Sequence, residues 1–285
     1  MPDCFLSKRQ IFFVIAWLIS ARQMDAQAAA PQTNAVAAIQ DNSFLIEEAY
    51  NQEPGVVQHI NTLFRTSGTR SWVYAFTQEW PVRVQQHQLS YTIQIAHAAD
   101  GSGSRTGIGD VAVNYRYQLL GVGGGPAFAP RLSVLLPTGA SRRGFGAGGT
   151  TWQMNLPFSL TLPADFVSHS NAGMSFTPHA RNTADDEAAS REYSLGQSLI
   201  WLVRRDFNFM IEALWTAAYE VAGPGRTVRS TELLVSPGVR AAINFRSKLQ
   251  IVPGFAVPIG VGPSRGERSL FAYLSFEHPF AKQAP

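Results

Sequence analysis

The chain has 285 residues, a formal charge of +3, 15% charged residues and one cysteine. So slight an excess of positive charge excludes a nucleic-acid binder, which needs a concentrated basic surface, and a lone cysteine excludes a disulfide-stapled scaffold. The length suits one large domain.

The chain opens with Lys8 and Arg9, an apolar run from Ile11 to Ile19, and then Ala26-Gln27-Ala28 with further alanines. That order is expected of a secretory signal peptide over residues 1–28, cut after Ala28. The run is about half the roughly twenty residues that a spanning helix needs. Nothing after Ala28 contains a longer apolar run, so any membrane crossing has to use strands. Cys4 lies in the head, which leaves the mature chain without thiol chemistry. After Ala28 only Lys248 and Lys282 are lysines and every other cation is arginine. The arginine fork suits phosphate, and lipopolysaccharide phosphates are the expected partners.

Residues 29–55 form a periplasmic lead, Ala-rich as far as Ala38. Asn42 to Gln52, bounded by Glu53-Pro54-Gly55, has the pattern of one or two helical turns capped by Asn42 or Ser43. Its plainer placement is at the barrel rim. The alternative is a plug in the barrel mouth carrying Phe44, Leu45, Ile46 and Tyr50.

Residues 56–280 then read as about twelve strands. They run near Val56–Phe64, Ser71–Trp80, His87–Ile95, Gly107–Leu119, Ala127–Leu136, Thr151–Leu162, Phe166–Thr177, Glu192–Val203, Asp206–Tyr219, Ser230–Ile243, Lys248–Ile259 and Arg268–Phe280. In the fourth, Val111, Val113, Tyr115, Tyr117 and Leu119 alternate with Asp110, Asn114, Arg116 and Gln118. The same alternation recurs down the chain on uncharged apolar faces. The expected fold is therefore all-β, a transmembrane antiparallel up-and-down β-barrel with its apolar side to lipid. Alternate connections, among them Ala96–Thr106, Pro137–Thr150, Pro178–Arg191 and Val221–Arg229, are longer and are taken as external loops. Aromatics such as Trp72, Trp80, Trp152, Trp201, Trp215 and Tyr219 fall near strand ends, as interface girdles do. Phe280 closes the last strand, and residues 281–285 form a tail.

The stretch Ser43 to His59, the segment Gly107-Ile108-Gly109-Asp110-Val111 and Leu135-Leu136-Pro137-Thr138-Gly139 resemble the outer-membrane proteins grouped under the MetA pathway of phenol degradation, a transporter-like barrel family. The resemblance implies an outer-membrane barrel concerned with uptake of small aromatic or hydrophobic compounds.

No chemistry-bearing motif competes with that expectation. His169 and Ser170 are adjacent and so point to opposite faces, which denies a base and nucleophile their hydrogen bond. Asp185-Asp186-Glu187 reads as a solvated acidic loop rather than a cation site. Gly144 to Gly149 lacks the lysine of a phosphate loop and reads as a mobile loop tip. The expectation is a non-enzymatic outer-membrane channel for small solutes, working by diffusion, with neither cofactor nor metal and with membrane lipid as its surroundings. A barrel with a packed interior is the alternative, and a lipid-modifying enzyme is the third reading. The residues expected to line the lumen are Gln88, Gln94, Asp110, Arg116, Arg131, Asn155, His169, Asn171, Glu212, Glu232, Arg240 and Glu277. Arg142 and Arg143 are the expected lipopolysaccharide contacts, and alanine at Arg116 and Arg240 is expected to favour cations.

Overall fold

The computed structural model describes residues 43–100, 103–122 and 125–280. The signal peptide, the Ala-rich lead, Asn42 as a cap and the tail 281–285 lie outside the described residues. The strand segments are β1 (Val56–Thr66), β2 (Trp72–Val82), β3 (Val84–Asp100), β4 (Gly103–Ile108), β5 (Val111–Tyr117), β6 (Ala127–Phe128), β7 (Arg131–Leu136), β8 (Thr151–Asn155) and β9 (Phe158–Leu162). They continue as β10 (Phe166–Arg181), β11 (Glu187–Arg204), β12 (Phe207–Gly223), β13 (Arg226–Ala241), β14 (Ile243–Asn244), β15 (Gln250–Ala256), β16 (Ile259–Gly260) and β17 (Ser269–Pro279).

These segments make a closed antiparallel barrel of 12 staves, because β4–β5, β6–β7, β8–β9, β13–β14 and β15–β16 are each one interrupted stave. Three of the interruptions fall at Pro130, Pro157 and Pro258, where the missing N–H breaks the ladder. Closure comes from β1 pairing with β17 along its whole length, from Val56 opposite Pro279 to Thr66 opposite Ser269. The sheet thus closes on itself, which is the condition for strands to sit in lipid. Both ends of the barrel chain therefore lie at one rim.

Burial is inverted relative to a soluble domain. Arg240, Glu212, His169 and Asn208 are fully buried, while Leu132 and Trp152 are 59% and 58% exposed. The apolar belt is what lipid would cover. Aromatic rings cluster at the two rims, with Phe166 against Trp201 at the end bearing the termini and Trp72 stacked on His97 at the other.

Three expected external loops are instead strand. The ladder runs on to Asp100 opposite Gly103, Arg181 opposite Glu187, and Gly223 opposite Arg226. Ladder bonds are made by the backbone, so polar residues extend a hairpin into water as readily as apolar ones extend it through lipid. The connection from Pro137 to Thr150 does remain a loop, and its tip packs onto the barrel wall. Phe145 is 5% exposed and sits on the inner wall against Gly107. The Asp110 carboxylate accepts the N–H groups of Gly139 and Ala147, at 2.9 and 2.8 Å.

Candidate functional site

Residues 43–55 run inside the barrel and rise from the rim that carries the termini. They are not helical, so the expected helical turns are not formed. The physical reason is where their backbone donors go. Phe44, Leu45 and Ile46 donate their N–H groups to one oxygen of Glu212, at 3.0, 2.9 and 3.1 Å. Glu47 donates to Asn171, Ala49 to the Ser159 hydroxyl, Asn51 to Gln118 and Gln52 to Gln88. A buried backbone donor has to find an acceptor, and here the barrel wall supplies in side chains what a helix would have supplied in carbonyls.

The charged groups complete the attachment. Arg116 donates from Nε to Asn51 Oδ1 at 2.7 Å, from Nη1 to the Glu48 carbonyl at 3.0 Å, and from Nη2 to the Tyr50 carbonyl at 2.8 Å. The Glu47 carboxylate lies 3.2 Å from both Arg116 and Arg131 and accepts from Asn155 at 2.7 Å. The cations of Arg116 and Arg131 are thus matched by Glu47, where an unmatched buried charge would be costly.

Two apolar side chains of the segment fit hollows left by glycine. A Cβ at Gly254 would lie 2.4 Å from the Phe44 ring, and one at Gly196 would lie 2.2 Å from Ile46 Cδ1. Phe44 is backed by Phe271 and Tyr273, with ring centroids at 5.3 and 5.2 Å. Gly254→Val is accordingly expected to push Phe44 out. Because Cys4 is the chain's one cysteine, a Ser43→Cys reporter combined with Cys4→Ser can be read without background. Its labelling by a charged maleimide should be slow in the parent and at least tenfold faster with Gly254→Val. Equal rates would mean that Phe44 does not hold the segment.

Of the residues expected to line the lumen, Gln88, Arg116, Arg131, Asn155, His169, Asn171 and Glu212 come together around this segment. Arg240 is buried on β13 directly opposite Gly254, and Glu277 stands opposite Gln58 across the β1–β17 seam. Gln94, Asp110 and Glu232 stand apart, with Gln94 exposed above the segment and Asp110 given over to the 137–150 loop. Arg116 and Arg240 are covered rather than open to a water path, 4% and 2% exposed, so the cation preference expected on their replacement applies only with the segment out. Sequence reasoning did not single out Gln58 and Glu79; it placed Gln118 and Ser159 on the polar side of their strands without counting them as lumen residues.

The His169 ring pairs with Ser159, not with Ser170, through Nδ1 at 2.7 Å. Both residues are fully buried, and the hydroxyl already accepts the Ala49 N–H. That leaves no access for a substrate while the segment is in place. The acidic loop is likewise engaged, with Asp185 2.7 Å from Arg142 and Glu187 bound by His179 and Arg181. Arg143 lies over the Phe145 ring at 5.4 Å. The Arg142 guanidinium, chiefly by its hydrogen bond, holds the Asp185 carboxyl below its ordinary range. A lowered folded-state pKa makes this clasp present above the usual carboxylate range and lost as pH falls through the lowered value. Arg142→Ala should return Asp185 to ordinary titration by carboxyl NMR; an unmoved titration would contradict the pairing.

Comparison with known proteins bears on the fold and the family. No curated protein matches the chain. Among solved structures it is similar to an outer-membrane channel from Pseudomonas putida F1, with a TM-score of 0.58 and 12% identity over 81% of this chain and 97% of that one. It is also similar to the NanC porin, with a TM-score of 0.51 and 10% identity over 76% of this chain and 98% of that one. The sequence pattern of the family described as "Putative MetA-pathway of phenol degradation" matches residues 52–259, most of the barrel, and the chain belongs to that family.

Proposed function

We propose that the protein is a non-enzymatic outer-membrane channel for passive uptake of small solutes, and that residues 43–54 are its plug, lying on the periplasmic side. The observation that carries this reading is the single Glu212 oxygen accepting three consecutive backbone N–H groups from a non-helical segment inside the barrel. Beside the plug lies a cavity of about 380 Å³. Its wall combines charged groups, Glu47, Glu79, Glu192, Arg116 and Arg131, with hydroxyls such as Thr62 and Thr77 and an apolar part of Ile60, Leu214 and Tyr273. Such a wall suits a small polar or amphipathic solute that can hydrogen-bond at one end. The channel and porin names of the similar structures support the transport reading, as does the family description. Arg142 and Arg143, at the outer rim, retain donors suited to lipopolysaccharide phosphate.

The test is single-channel conductance of the mature chain in a planar bilayer, with and without residues 29–54. The full chain should be closed or rarely open, and the truncated barrel should conduct steadily. Silence from both, with folding verified, would favour a barrel whose interior is packed for structural reasons.

A further inference from the structure

The two strands that close the barrel each carry an outward-facing histidine at the rim bearing the termini. Gln58 points inward to Gln52, so its neighbour His59 points outward; Glu277 and His278 alternate in the same way on β17. His59 stacks on Phe76 and on His278, with centroids at 6.1 and 5.4 Å, and the two Nε2 atoms are 3.3 Å apart. The His278 Nδ1 stands 3.3 Å from the carbonyl of Pro279. A carbonyl only accepts, so Nδ1 carries the proton and the His278 Nε2 turns a lone pair towards His59. A ring nitrogen fixed in this way by a carbonyl on its far side is how metal-binding histidines are oriented.

We propose that His59 and His278 form a binding site for a divalent transition metal of the zinc class. Two nitrogens on one tetrahedral ion, each at about 2.0–2.1 Å, stand about 3.3–3.4 Å apart, which is the separation found here. Among the described residues no cluster of three or more candidate ligands exists, so the protein supplies two ligands and water completes the shell. In the other outward histidines Nδ1 meets a non-histidine side chain: Tyr115 for His87, Thr106 for His97 and Glu187 for His179. An ion at His59 and His278 would staple β1 to β17 a few residues from the point where the internal segment joins β1.

The competing account is a plain N–H···N hydrogen bond donated by His59. Titration of the untagged mature protein with Zn²⁺ by calorimetry, and with Co²⁺ by visible absorption, separates the two. The expected result is one ion per chain, intense tetrahedral cobalt bands, and a thermal midpoint raised by about 5–10 °C at a hundredfold excess over Kd. All three should be lost in both His59→Gln and His278→Gln and kept in His179→Gln. Absence of stoichiometric binding by the parent at 0.1 mM metal, roughly the weak end for a specific site, would overturn the proposal without any variant having to fold. Binding that survives both substitutions would overturn it as well.

Discussion

Glu212→Ala is expected to convert a closed barrel into a conducting one without unfolding it. The carboxylate accepts three consecutive backbone N–H groups, those of Phe44, Leu45 and Ile46. Hydrogen bonds to a charged acceptor are worth about 1.5–3 kcal/mol each, and removing one member of a buried charged network costs about 3–5 kcal/mol. At tenfold per 1.4 kcal/mol, the ratio of seated to released segment should fall by roughly two to three orders of magnitude. The barrel ladder does not depend on this side chain, so heat-modifiable migration on gels should persist. Glu212→Gln keeps an acceptor oxygen and loses the charge, and should fall between the two. A silent Glu212→Ala channel, with the protease pattern of the parent, would remove Glu212 from the closing mechanism.

The second large effect is expected at Arg116. Methionine there keeps much of the volume but removes the donors to Asn51, Glu48 and Tyr50, and takes from Glu47 and Glu79 the cation beside them. The expected loss is about 3–5 kcal/mol, which in a chain of this size is a fall of roughly 6–20 °C in thermal midpoint. Because Arg116 and Glu47 share one network, Arg116→Met and Glu47→Gln should not add. A double-mutant cycle should show at least about 1 kcal/mol of coupling. Strict additivity would show that the ion pair at 3.2 Å carries no energy of its own.

The barrel was legible because lipid on one side and water on the other impose a period of two on every stave. Arg116 and Gln118 alternating with Tyr115 and Tyr117 announce an inner and an outer face, and the structure has those faces. The strand ends beyond the membrane were not legible, because polar residues such as Arg226 and Thr227 pair as strand where they read as loop. The course of residues 43–52 was hidden for a different reason. Their apolar residues and candidate cap fit a short helix locally, and only the arrival of Glu212, Asn171, Ser159 and Gln118 from strands more than sixty residues away redirects their N–H groups. Residues such as Glu212 and His169 were identifiable as inward-facing from sequence, but what they hold was not. The pairing of His59 with His278, separated by 219 positions, follows only from knowing which strands close the barrel.

The internal segment ends in Glu53-Pro54-Gly55 and passes directly into Val56 at the start of β1. Once released, it therefore stays tethered within a few residues of its own seat. A short tether holds an effective local concentration in the millimolar range, so reseating is unimolecular and its rate is independent of how much protein the membrane holds. Open periods should accordingly be brief flickers whose frequency rises as the seat is weakened. A free peptide copy of residues 43–54 would have to reach millimolar levels before it could take the place of the tethered one.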